Sequence, residues 1–451
     1  MEEGSLISQP IPKLIRDLAI PASVGFFFNT MYNVVDTYYG GLISTQAVAA
    51  LSLSFPVFFI IISLSSGIST GTSALIAHAL GEGNREEAKK YLTQAISFTI
   101  ILSLILSVLG WVSGPYLFGL LGASGDYLKM ALSYINIIFG GTVLFALSFV
   151  INSSLTSQGD TKTFRNFLVF GFLLNLLLDP WFMFGWLGFP ALGLAGVAWA
   201  TLLIQFFSVI YISYKAIKNG ILCKSCLHMF KPEAKYFKEI SKQGFPASLN
   251  MMTIAIGIFI ITYFISPFGK SAVAAYGIAT RIDQIFLLPT MGLNIASLAL
   301  IGQNNGAKKY DRVRLAYKTN LKYGFWIMSI GMVLVLLFNK FLMQFFSKDP
   351  NVVDIGTHYL SISAFIYISY VISAISISAL QGLKKPFYAI WIGIYRQIIG
   401  PIVFFGLLAT FLGFGLSGVW WAIFIINWSA AIITYFYTKN CMKNNLGDSK
   451  L

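Results

Sequence analysis

Apolar runs of about twenty residues or more recur from one end of this chain to the other, with no polar domain between them. A run of that length, wound as a helix, reaches about 30 Å, the thickness of a bilayer's hydrocarbon core. A backbone in lipid must satisfy its own hydrogen bonds, and a helix does so within one segment. Only 11% of the 451 residues are charged, where soluble domains carry about 25%. The reading is an all-α integral membrane protein with twelve transmembrane helices. They are expected near 15–38, 47–78, 93–120, 128–157, 164–185, 192–216, 240–265, 272–303, 318–346, 354–381, 387–411 and 416–438. No secretory signal pattern precedes the first run, which is therefore expected to stay as a membrane anchor.

The net charge of +14 would suit a nucleic-acid binder if it were gathered on one surface, but it is not. Lys13, Arg16, Arg85, Lys89, Lys90, Lys162, Arg165, the Lys215–Lys242 cluster, Lys308, Lys309, Arg312, Arg314, Lys318, Lys322, Lys384 and Lys385 fall in alternate connections. The intervening connections hold Lys129, Lys270 and Lys348. Basic residues stay on the cytoplasmic side of membrane proteins, so both termini are expected there. The same residues would meet anionic lipid headgroups, and no nucleic-acid partner is expected.

The chain also repeats. Pro21-Ala22-Ser23 returns as Pro246-Ala247-Ser248, and 246 − 21 is 225. At that offset `AVAA` at 47–50 returns at 272–275, and `GLAGVAWA` at 193–200 meets `GLSGVWWA` at 415–422, 222 positions on. Two pseudo-symmetric six-helix bundles follow: an N-terminal lobe at 1–218, a basic connection at 219–239 and a C-terminal lobe at 240–451. Both halves would enter the membrane in the same direction, the arrangement of transporters with a central site between repeats.

Three acids fall at membrane depth: Asp36, Asp179 and Asp283. An ionisable group there costs roughly 2.5 kcal/mol or more and marks a pathway or binding site. Asn29, Tyr32, Asn33 and Asp36 are three and four apart, one polar stripe on a helix. Asn175 stands one turn before Asp179, and Pro180 follows it. The repeat counterparts of the two acids are Ile261 and Ile402, so the scaffold is duplicated and the carboxylates are not. Asn152, Thr156, Thr201 and Gln205 offer further oxygens in the same half. Carboxylate, amide and hydroxyl oxygens suit a hard monovalent cation such as sodium, and paired carboxylates equally suit a proton. Asp283 has Arg281 nearby in sequence, and Arg396 is a possible partner across the second bundle. Tyr32, Tyr134, Tyr263 and Tyr367 place aromatic faces inside spans, where organic cations could rest.

Other chemistry finds little support. `CKSCLH` at 223–228 lacks the second ligand pair of a zinc site, so no transition metal is expected. `GKS` at 269–271 lacks the earlier glycine of a phosphate loop. His78, His228 and His358 are scattered, and no paired catalytic constellation accompanies them. The chain is read as no enzyme and as needing no cofactor.

The motifs `YNVVDTYYGG` at 32–41, `NLLLDP` at 175–180, `GVAWAT` at 196–201 and `AYGIATRIDQ` at 275–284 resemble those of the multidrug and toxic compound extrusion (MATE) family. The likeness covers essentially the whole chain, and Asp36 and Asp179 with Pro21 resemble its DinF-like branch. The resemblance implies alternating-access antiport of cationic or amphiphilic organic compounds against protons or sodium. It implies cation binding by Asp36, Asn175, Asp179 and Thr201, and a drug cavity lined by Tyr32 and Asn152. With the rest of the stripe and Gln205, the expected substrate set is Asn29, Tyr32, Asn33, Asn152 and Gln205. It further implies a monomer in the cytoplasmic membrane of a prokaryote. The acids that the NorM-like branch carries on spans seven and ten are absent, which argues against a cation site in the C-terminal lobe. The runner-up is a flippase for lipid-linked oligosaccharides or lipids, for which Arg281 and Arg396 would have to meet the headgroup.

Overall fold

The computed structural model describes residues 4–120, 122–188, 190–222 and 229–446. Cys223, Cys226 and His228 lie outside the described residues. Helices dominate, in the order α1 (Ser5–Ser8), α2 (Ile11–Ile43), α3 (Thr45–Gly81), α4 (Arg85–Leu120), α5 (Gly125–Gly140), α6 (Thr142–Ser157), α7 (Lys162–Phe184) and α8 (Leu194–Lys218). The second half gives α9 (Ala234–Ile265), α10 (Lys270–Gly306), α11 (Tyr310–Phe346), α12 (Pro350–Ser363), α13 (Ile366–Gly382), α14 (Tyr388–Ile394), α15 (Gly400–Phe405) and α16 (Gly415–Leu446). Among the described residues there is no strand.

Ten helical stretches among the described residues are long and apolar enough to cross a membrane, and two bent pairs raise the number to twelve. The expected span at 128–157 is α5 and α6, bent by 45°; that at 354–381 is α12 and α13, bent by 52°. The first bend falls at Gly141, where a Cβ would stand 1.9 Å from Leu202 Cδ2. Only a glycine lets α8 pack into that corner. The expected span at 387–411 is interrupted by two π-helical segments, Tyr395–Ile399 and Gly406–Phe411.

Local chemistry sets the ends. Ser44 accepts from the Ala47 amide at 3.0 Å and caps α3. Asp349 accepts from Asn351 at 2.9 Å, with Pro350 in the first turn of α12. Gly185 closes α7 with φ at 76°, a conformation that favours glycine.

The chain resolves into two compact units, one of Val24–Ser248 and one of Glu2–Ser23 with Leu249–Leu451. The expected division at 219–239 is therefore not where the units part; the boundaries fall inside α2 and α9. Each unit holds one long helix start that precedes the other unit in sequence. In the first unit, Gly67 of α3 receives Ser248 of α9 so closely that a Cβ would stand 2.0 Å from the Ser248 Oγ. The Ser248 hydroxyl is 3.4 Å from the Leu64 carbonyl, to which it donates. In the second unit, Gly292 of α10 receives Ala19 and Ser23 of α2 at 2.2 and 2.3 Å from where a Cβ would be. Ser23 donates to the Pro289 carbonyl, also at 3.4 Å. Both relations repeat at the offset of 225, since 292 − 67 and 289 − 64 each give that number. The repeated Pro-Ala-Ser motif is thus a packing motif, placing a small residue over a glycine in each unit.

The second unit's core gathers Leu14, Ile15 and Leu18 of α2 with the buried alanines Ala272, Ala275, Ala279, Ala296 and Ala299 of α10. Small residues let helix backbones approach where lipid provides no hydrophobic drive between helices. Large apolar side chains such as Val112, Phe345 and Phe411 are exposed, as suits a surface solvated by lipid.

Candidate functional site

The cluster of interest lies within the Val24–Ser248 unit. Gly25 of α2 sits against Leu168 and Arg165 of α7, with room for nothing larger than a tight methyl contact. That close approach brings Asp36, three turns further along α2, to Asn175 and Asp179 on α7. The Asn175 Nδ2 donates to Asp36 Oδ1 at 3.0 Å. The Asp179 carboxyl is an electrostatic neighbour of the Asp36 carboxyl. Asn175 and Asp179 are fully buried, and no protein N–H or O–H of the described residues reaches either Asp179 oxygen.

Pro180 shapes the rim of this cluster. It carries no N–H, so the Leu176 carbonyl one turn back loses its helical donor. The Tyr39 hydroxyl takes that place, donating to Leu176 at 3.1 Å and tying the end of α2 to α7. Tyr32 turns inward beside Asp36 and faces Thr201 of α8, though neither oxygen makes a well-formed hydrogen bond. Tyr134 of α5 looks onto the same two carboxyls. Tyr134, expected only as an aromatic face for organic cations, and Tyr39, not singled out by the sequence, both neighbour the cluster.

The four expected cation ligands, Asp36, Asn175, Asp179 and Thr201, therefore converge with Tyr32. The other expected substrate residues are placed differently. Asn29 and Asn33 are exposed, and Asn33 Nδ2 donates to the Asn29 carbonyl at 3.0 Å within its own helix. The polar stripe is thus split, with Tyr32 and Asp36 turned toward α7 and the two asparagines away. Asn152 is buried at 8% exposure with an unpartnered Oδ1, and Gln205 is half-buried on α8.

Asp283 is not paired with Arg396, contrary to that option. Its carboxylate accepts from Tyr359 at 3.0 Å, Ser363 at 3.2 Å and Tyr367 at 2.7 Å. Arg396 lies instead over the Tyr370 ring, 5.1 Å from its centroid. Hydroxyls so close to the acid from α12 and α13 satisfy it locally, and the guanidinium finds a cation–π partner.

Comparison with known proteins falls on the same frame. The MatE family model matches residues 21–181 and 246–406, two stretches 225 positions apart, like the internal repeat. The chain belongs to the MatE family. Asp36, Asn175 and Asp179 lie in the first matched stretch, and Asp283, Tyr359 and Tyr367 in the second. A protein named FAD transporter, from Shewanella oneidensis, is 29% identical over 399 residues, covering 88% of each chain. The multidrug export protein MepA of Staphylococcus haemolyticus is 26% identical, over 99% of this chain and 96% of its own. A solved structure described as the outward-facing conformation of a multidrug resistance MATE family transporter of the MOP superfamily aligns with a TM-score of 0.92. It is 25% identical, with 98% of each chain covered. The MatE chain described here is a multi-pass membrane transporter.

Proposed function

We propose that this protein is a secondary active exporter of small organic cations or amphiphiles, driven by inward movement of protons or sodium through Asp36 and Asp179. The observation that carries the reading is the Asp36–Asn175–Asp179 cluster. Two carboxyls are neighbours at membrane depth, and among the described residues no Lys or Arg forms an ion pair with either. Such a pair needs a positive charge between or upon its members, and a proton, a sodium ion or a cationic substrate each supplies one. Competition among these three for one site couples their movements once the site is exposed to the two sides in turn. Each charge moved inward adds about 2.3 kcal/mol per 100 mV of membrane potential, enough for more than tenfold accumulation.

Multidrug relatives such as MepA support the substrate class. The relative named FAD transporter favours a second reading, export of a flavin dinucleotide. No observation favours a lipid-linked oligosaccharide flippase, since the buried cluster carries acids where a pyrophosphate headgroup would need cations. The test is transport in proteoliposomes under imposed proton or sodium gradients, with a fluorescent organic cation and with FAD as alternative cargo. Gradient-driven movement of the organic cation, lost in Asp36→Asn/Asp179→Asn, supports the first reading. Movement of FAD alone replaces it by the second, and movement of neither removes both.

A further inference from the structure

The span that carries Asp179 in the first unit has its repeat counterpart in α14 and α15 of the second, where no acid stands. That span carries instead three consecutive polar side chains, Tyr395, Arg396 and Gln397, with Arg396 about 12 Å of helical rise past Tyr388. At the repeat offsets of 222 to 225 the first unit has only `GFLL`, residues 171–174, so the arginine is not inherited from the duplication. Pro401 offers no N–H to the Gln397 carbonyl, and the turn before it widens into the π-helical segment Tyr395–Ile399. Widened turns of this kind are frequent at functional sites.

The three side chains go to three different helices. Tyr395 shares a hydrogen bond of 2.7 Å with Ser429 of α16. Gln397 lies against α9, where a Cβ on Gly257 would stand 2.0 Å from its Oε1. Arg396 lies over the ring of Tyr370 on α13, and among the described residues its guanidinium forms no ion pair. The neighbouring helices offer no acid to supply one. None occurs in α13, α14, α15 or α16, and α9 has only Glu239, which accepts from Tyr91. Asp283 on α10 is held by Tyr359, Ser363 and Tyr367.

A cation at this depth ordinarily pairs with a negative group, and a cation–π contact recovers only part of the cost of placing it there. Arg396 and Tyr370 are both half-buried, and neither the guanidinium nitrogens nor the phenol oxygen are sealed away. The guanidinium is a planar fork of N–H donors, a shape that a carboxylate or phosphate meets with two oxygens at once. The ring of Tyr370 steadies that fork, and its hydroxyl is a further donor beside it.

We propose that Arg396, steadied by Tyr370, binds an oxyanion: the carboxylate or phosphate of an amphiphilic ligand. Joined to the export reading above, on which this one step rests, it makes the cargo an amphiphile that carries an anionic group as well as a cationic one. An anionic lipid headgroup brings the same oxyanion, and the test separates the two sources.

The test is equilibrium binding to purified full-length protein in phosphatidylcholine nanodiscs, with no gradient imposed. The probes are a rhodamine with a free carboxylate and its ethyl ester, which share one aromatic cation and differ in the oxyanion. Fluorescence anisotropy, corrected for empty nanodiscs, should show the acid bound about tenfold more tightly than the ester. Arg396→Gln should bring the acid down to the ester. Arg396→Lys keeps the charge without the fork and should retain about a threefold preference; it carries the comparison if the glutamine variant does not fold. Phosphatidylglycerol retained by the protein, counted by native mass spectrometry, is the second arm. A dye preference that depends on Arg396 assigns the oxyanion to the cargo, and lipid retention that depends on Arg396 with equal binding of the dyes assigns it to lipid. Equal binding of the dyes, with lipid retention unchanged in the variants, overturns the proposal. So does a dye preference that a folded Arg396→Gln protein keeps, even where its melting temperature falls, since Arg396 is then a packing residue alone. Failure of coupling at Asp36 and Asp179 would appear as lost gradient-driven export and leave these affinities standing.

Discussion

The amide of Asn175 donates to the carboxylate of Asp36 at 3.0 Å, across 139 residues of chain. The bond aims the acid at Asp179, the other buried carboxyl of the cluster. The Asn175 Oδ1 is itself left without a donor. An arrangement of three acceptor groups and one donor is short of positive charge, and that shortage is what an antiporter can use.

Asp36→Asn is expected to abolish gradient-driven export while leaving the protein folded. The amide is the same size, still meets Asn175 and removes the charge. Efflux from proteoliposomes measures it, with expression and melting as controls. Full transport by a folded Asp36→Asn protein would show that the site lies elsewhere.

Asn175→Ala is expected to slow coupled transport by about tenfold or more, because a hydrogen bond to a charged group contributes about 1.5–3 kcal/mol. Asp179→Asn should be nearly as severe as Asp36→Asn. Asp283→Asn should reduce transport less, since Asp283 stands outside the cluster. Initial efflux rates order the variants; equal loss at Asp179 and Asp283 would contradict the division of roles.

The fold was legible because lipid makes the pattern simple: each expected span lies within, or nearly coincides with, a helix or a bent helix pair. What the apolar runs could not disclose was the bend at Gly141, which depends on Leu202 from α8, a contact 61 residues away. The cluster was legible in part. Asp36, Asn175 and Asp179 stand out because charge and amide are rare at membrane depth. Tyr39 does not, since its role follows from the carbonyl that Pro180 frees on another helix. Asn29 and Asn33 stand apart from the cluster for a related reason. Helical spacing gives a stripe, but α7 meets one edge of it. Asp283 was mispaired because opposite charges were sought, and three hydroxyls from a bent pair satisfied it first.

The glycine contacts give a stability prediction of opposite signs. Gly67→Ala puts a Cβ 2.0 Å from the Ser248 Oγ and 2.3 Å from its amide nitrogen, so backbone must move. Gly292→Ala meets the Ala19 carbonyl at 2.2 Å. Each should destabilise by about 1–3 kcal/mol. Gly277 lies in the same kind of helix with no heavy atom within 4 Å of a Cβ, so Gly277→Ala should stabilise by about 0.5–1 kcal/mol. Thermal melting in detergent separates them. A Gly67→Ala protein as stable as Gly277→Ala would mean that the α3–α9 crossing is looser than drawn.

The final prediction concerns access to the cluster. If the protein exports by exposing Asp36 to the two sides in turn, a residue on the exposed flank of α2 beside it should change its accessible side with the bound cation. Asn33 is that residue: it is exposed, three positions before Asp36, and its side chain bonds only within its own helix. A cysteine there, introduced as Asn33→Cys with the native cysteines replaced, can be labelled by a membrane-impermeant maleimide from either side of a sealed vesicle. A cation can shift the population only through unequal affinity for the two states. Saturating the carboxyls with protons or sodium should therefore move labelling from one side toward the other, by a factor set by that inequality. Adding Asp36→Asn/Asp179→Asn should abolish the dependence and leave labelling fixed. Labelling that is equal from both sides under every condition would describe an open channel. Labelling that stays on one side whatever the cation would describe a protein that binds without transporting, and either result removes the export mechanism.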